Sequence, residues 1–103
     1  MSLGHLLKLV RTHRVLNQKE MADLLGISQN YLSLIESDKK QPSTELVSKI
    51  AKSLKVSSDA LVFAASDVPD EFSRDDKATY RKLQSNIISL LLFQMTGELE
   101  EIV

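Results

Sequence analysis

The sequence predicts an all-α fold, and three observations carry that expectation. Only two prolines and three glycines interrupt 103 residues, so few positions forbid helix. Apolar residues recur at spacings of three and four, while no segment alternates with period two well enough to read as a strand. Ser or Asn stands just ahead of these stretches, where a helix needs an N-cap. The length suits one domain with an appended element.

Leu6, Leu7 and Val10, closed by Leu16, mark a first helix from Leu3 to Arg14. Asn17 sits at the next N-cap with Glu20 at the capping-box spacing, so Gln18 opens a second helix whose inner stripe is Met21, Ala22 and Leu25. Gly26 is placed to end it at a positive φ. Ser28 caps a third helix running to about Ser37, with Leu32 and Ile35 as its inward stripe. Asp38-Lys39-Lys40-Gln41-Pro42 is a polar connector that the proline closes. Ser43 caps a fourth helix with Leu46, Val47, Ile50 and Leu54 inside, and Val56-Ser57 starts a short fifth through Ala60, Leu61 and Phe63. Residues 64–70 read as a linker. Ser73, with Asp75 and Asp76 in the first turn, opens a long sixth helix to about Thr96, stopped by Gly97. The expected organisation is a helical domain over 1–64, a linker over 65–73 and a C-terminal helix over 74–103.

Composition excludes several classes of function. With no cysteine there is no disulfide or thiolate metal site, which suits a reducing cytoplasm. His5 and His13 lack ligand spacing, no serine belongs to a nucleophile pattern and no glycine-rich phosphate loop occurs, so neither a metal, a cofactor nor an enzyme is expected. Residues 1–10 lack the flanks and cleavage site of a signal peptide. The net charge of −1 is unevenly spread: residues 1–64 carry nine Lys/Arg against six Asp/Glu, residues 65–103 four against eight. Any polyanion contact therefore belongs to the first part.

The second and third helices, joined by a turn containing Gly26, satisfy the geometry of a helix-turn-helix. Ala22 is small enough for the third helix to cross close above the second, and Ile27, Leu32 and Ile35 fill the wedge between them. With Leu32 and Ile35 inward, Asn30, Ser33, Leu34 and Ser37 point outward, flanked by Gln29 and Tyr31. Amides at the N-terminal end and small or apolar groups beyond make a face slim enough for the major groove.

Residues 6–63, above all the run LNQKEMADLLGISQNYLSLIESDKKQPSTELVSKIAKSLKVS, resemble the lambda-repressor-like helix-turn-helix family of the Cro/repressor or XRE type. The resemblance implies a five-helix DNA-binding domain, acting as a dimer on a pseudo-palindromic operator. It implies that Gln18 contacts phosphate, that Gln29 and Asn30 read base edges, and that Ser28, Tyr31, Ser33 and Leu34 lie on the same surface. It further implies that Arg11 and Glu36 form a bridge tying the first helix to the third, and that Lys39 and Lys40 lie along the backbone. One departure stands out: Asp38 occupies the position after the third helix where the family usually has glycine. Aspartate tolerates the left-handed conformation, so the fold is expected to survive.

The chemistry supports these roles independently. Asn and Gln can bond adenine bidentately at N6 and N7, an outward Leu suits a thymine methyl, and lysines supply the salt-sensitive attraction. Two readings stay open for Leu34, a thymine contact or packing within the bundle, and two for Tyr31, a phosphate contact or a helix crossing.

The sixth helix is apolar nearly all round towards its end but is interrupted by Ser89 and Gln94 and too short in its uninterrupted part to span a bilayer, so no membrane is expected. A five-helix domain covers one stripe. A second, drawn from Ile87, Ile88, Leu91, Leu92, Met95 and Leu99, asks for a partner, and a two-fold dimer matches operator symmetry; completion of a single core is the other reading. The expected function is that of a cytoplasmic, nucleoid-associated DNA-binding regulator, a dimeric repressor. The rival is an antitoxin-like or anti-regulator module whose C-terminal helix docks a different protein.

Overall fold

The computed structural model describes residues 1–96, with side chains through residue 93. The described residues form α1 (Leu3–His13), α2 (Gln18–Leu25), α3 (Gln29–Glu36), α4 (Thr44–Ser53), α5 (Ser58–Ala64) and α6 (Arg74–Thr96), with no strand among them. The expected stop at Gly97 and the expected contact of Leu99 lie outside the described residues, as does the side chain of Met95. No helix among the described residues is long and apolar enough to cross a membrane.

Every described helix begins the same way. The side chains of Ser2, Asn17, Ser28, Ser43, Ser57 and Ser73 each accept a hydrogen bond from the backbone N–H three residues on, satisfying a donor that the first turn leaves without a carbonyl. At α2 the box is complete, because the Asn17 N–H also donates to Glu20 Oε1 at 3.0 Å.

Four helices also end alike. After α1, α2, α3 and α4 one residue turns to positive φ: Val15 at 58°, Gly26 at 68°, Asp38 at 61° and Lys55 at 59°. The following N–H then reaches back across the last turn, Leu16 to the Arg11 carbonyl, Ile27 to Ala22, Lys39 to Leu34 and Val56 to Ala51. Only the second of these reversals uses glycine.

The core lies where α1, α2 and α3 meet and continues through α4 and α5. Leu6, Leu7, Val10, Met21, Leu32, Ile35, Ile50 and Leu61 are fully enclosed, with Ala22 allowing α3 to pack on α2. Ile27 and Val47 are partly buried against this cluster, as their stripes predict.

The sixth helix joins the same core. It packs on α5 and α1, and Leu91, 0% exposed, is a member of the central cluster, with Ile87, Ile88 and Leu92 half-buried against it. This corrects the expectation for Leu91, which the chain's own helices enclose, while Ile87, Ile88 and Leu92 are only partly covered by them. A clasp at the α5–α6 corner joins the two helices across the expected linker. The Gln84 amide donates to the Phe63 and Ser66 carbonyls at 3.0 and 2.6 Å, Ser66 Oγ and the Tyr80 hydroxyl bond to each other, and the Tyr80 ring lies 4.7 Å from that of Phe63. The apolar side chains that α6 leaves most exposed are Leu83 and Leu90.

Candidate nucleic-acid interface

A buried carboxylate sets the orientation of α3. Glu36, 4% exposed, takes a bidentate grip from Arg11 on α1: Nε donates to Oε2 at 2.7 Å and Nη2 to Oε1 at 3.0 Å. The third guanidinium nitrogen donates to the Leu16 carbonyl at 2.8 Å, and the Gln18 amide donates to Glu36 Oε1 at 3.2 Å. One side chain of α3 is thereby fastened to α1, to the α1–α2 turn and to the first residue of α2. The Arg11–Glu36 bridge forms as expected from the sequence. Gln18, expected at a phosphate, is half-buried and spends one amide N–H on Glu36.

Opposite Leu32 and Ile35, α3 presents its polar side. Gln29 and Asn30 are exposed in its first turn, and among the described residues neither amide has a hydrogen-bond partner. Ser28 is exposed as well, its oxygen occupied as acceptor by the Tyr31 N–H at 3.0 Å while its hydroxyl proton remains available. Ser33 and Leu34 are half-buried, flanking the exposed pair. The Tyr31 ring is partly buried against the core, with Lys40 Nζ 5.9 Å from its centroid.

The basic loop is tied back at its root. The N–H groups of both Lys39 and Lys40 donate to the Leu34 carbonyl, at 2.9 and 3.1 Å, so the loop folds back over the end of α3 and both lysines stand exposed on its rim. Gln29, Asn30, Lys39 and Lys40 thus lie at the two ends of a single short helix.

Two residues at this site escape the sequence reading. Gly4 is buried in the first turn of α1, where a Cβ would overlap the Ile35 carbonyl oxygen and stand 2.8 Å from Asp38 Oδ1; α1 comes this close to the end of α3 only because the side chain is missing. His5, its neighbour, places Nε2 3.4 Å from Asp38 Oδ2. A glycine inside a predicted helix was the available signal, since such a residue signals close packing when it is not a stop.

Comparison with known proteins agrees with this geometry. A helix-turn-helix family model matches residues 7–61. The chain is 38% identical over 76 residues to the ImmF control region 10 kDa protein of Bacillus phage phi105, an alignment covering 74% of this chain and 84% of the relative. It is 31% identical to the HTH-type transcriptional regulator ImmR of Bacillus subtilis strain 168, covering 98% of this chain and 81% of the relative. It is also 26% identical to the immunity repressor protein of phage phi105, covering 98% of this chain and 67% of that protein. No solved structure matches it significantly.

Proposed function

The chain belongs to the lambda-repressor-like helix-turn-helix family, and on that premise we propose that it is a sequence-specific DNA-binding repressor of transcription that reads a pseudo-palindromic operator as a homodimer. The observation that carries this reading is the pair Gln29 and Asn30, exposed and without partners at the start of a helix whose opposite face is locked in the core. Laid in the major groove, α3 would bring both amides to base edges. Leu34 would lie against a thymine methyl, Lys39 and Lys40 would follow one phosphate strand, and Gln18 with the free N–H groups opening α2 would meet the other. Repression is the sign favoured by the relatives, one of which is named an immunity repressor.

A homodimer fits because a palindrome presents two half-sites about 34 Å apart, one turn of DNA, and a single short recognition helix covers one of them. The exposed flank of α6 at Leu83 and Leu90 is the apolar surface for pairing with a second copy.

Selection from random duplexes followed by titration tests the base readout. Gln29→Ala with Asn30→Ala should lower the preference for the selected site over random DNA by about 1–3 kcal/mol for each bidentate amide–base pairing that the substitutions remove. Random-DNA binding should hardly change. An unaltered preference would remove these residues from the readout.

A further inference from the structure

Asp38 is an anion next to the two lysines proposed to follow the phosphate backbone, and it is not left alone. Its backbone holds φ 61° at the stop of α3, and its N–H donates to the Ile35 carbonyl at 3.1 Å. Its carboxylate turns towards α1, into the space left by the missing side chain of Gly4, and meets His5 Nε2 at 3.4 Å. His5 is itself held in place, because its backbone N–H donates to the capping oxygen of Ser2 at 3.0 Å. A glycine or asparagine would satisfy the left-handed stop at less conformational cost; what aspartate adds is a charge, and the fold brings a histidine to it.

We propose that His5 is a positioning residue for the basic loop: its imidazole, a counter-charge only where it is protonated, keeps the Asp38 carboxylate turned against α1, so that Lys39 and Lys40 meet phosphate without that anion turned towards the same phosphates. The inference rests on the DNA-binding reading given above. Without His5 the carboxylate is free to swing towards the phosphates or to pair with the lysines themselves, and either weakens the attraction that the loop supplies. Both partners are partly exposed, with side-chain accessibilities of 61% for His5 and 35% for Asp38, so the effect is a screened one.

The test uses the full chain and a duplex obtained by random selection, with affinity measured from roughly 50 to 200 mM salt. His5→Ala should bind the selected duplex about three- to tenfold more weakly at the low end, with the deficit shrinking as salt screens the carboxylate. His5→Lys, a permanent cation, should restore most of the loss. Asp38→Asn should bind at least as tightly as the natural chain, and in that background His5→Ala should have no further effect. Loss through misfolding would not be rescued by removing a second charge, so the rescue separates positioning from a structural role. An indifferent His5→Ala chain, or a deficit that Asp38→Asn does not suppress, overturns the proposal while the natural chain still prefers its site. A natural chain with no preference for any duplex overturns this proposal together with the DNA-binding reading.

Discussion

Val15 is β-branched, 87% exposed and held at φ 58° to close α1. A Cβ-bearing residue in that region costs roughly 1–2 kcal/mol relative to the right-handed one, and here no packing offsets the cost. Val15→Gly should therefore raise stability by about 0.5–1 kcal/mol after the added freedom of the unfolded chain is subtracted, visible as a higher Tm. No gain would mean that the unfolded-state entropy cancels the strain. Glu36 lies at the other extreme. Glu36→Ala leaves the Arg11 guanidinium, whose side chain is only 12% accessible, without its carboxylate, and should cost about 3–5 kcal/mol in chemical denaturation. Replacing both partners at once, Arg11→Met with Glu36→Leu, should recover most of that loss, because the penalty comes from the abandoned charge rather than from the missing bond. The bridge would then be a device for orienting α3, and the double variant should show its defect in DNA binding more than in Tm.

At the level of the elements, two glycines serve opposite purposes, and one substitution separates them. Nothing lies within 4 Å of a Cβ built on Gly26, so Gly26→Ala should cost only the left-handed conformation, about 1 kcal/mol. Gly4→Ala forces a Cβ onto the backbone carbonyl of Ile35, which can yield only if α1 and α3 move apart; about 1–3 kcal/mol is expected, with a change in the Arg11–Glu36 contact that hydrogen exchange at α3 would report. Equal losses at the two sites would contradict this division. The same contrast shows what was legible in the sequence. Five of the six caps, the stripes of α1 to α5 and the glycine stop at residue 26 were readable because each depends on neighbours within four residues. The stops at Val15 and Lys55 were not, since neither valine nor lysine has a local preference for positive φ that a sequence pattern would show. Gly4 against Ile35, His5 against Asp38 and the Ser66–Tyr80–Gln84 clasp join residues 14 to 33 positions apart, and no local pattern announces such pairs. The interface residues Gln29 and Asn30 stood out for a different reason, as polar groups that the core leaves over.

On the scale of the whole molecule, the decisive question is how α6 relates to a second copy. Clasped to α5 and anchored by Leu91, it is part of the body that carries α3, so two copies joined through α6 would hold their recognition helices at a spacing fixed by the fold rather than by a flexible tether. Charge favours the same arrangement, because the net positive residues 1–64 supply the attraction to DNA while the net negative remainder gains by facing away. Leu83 and Leu90 are 50% and 47% exposed, seven residues apart and hence on one side of α6, whereas Leu91 is enclosed. Two variants therefore separate pairing from folding. Leu91→Ala should lower stability by about 2–5 kcal/mol by opening a cavity in the chain's own core, whatever the protein concentration. Leu83→Glu with Leu90→Glu should leave the helical content of the monomer intact, convert a sedimenting dimer to monomer and remove the concentration dependence of Tm. On DNA the paired variant should bind an isolated half-site as the natural chain does, yet lose the additional affinity for two half-sites in one turn. A doubly substituted chain that still sediments as a dimer, or still prefers the full palindrome, would place the two-fold contact on another face of the molecule.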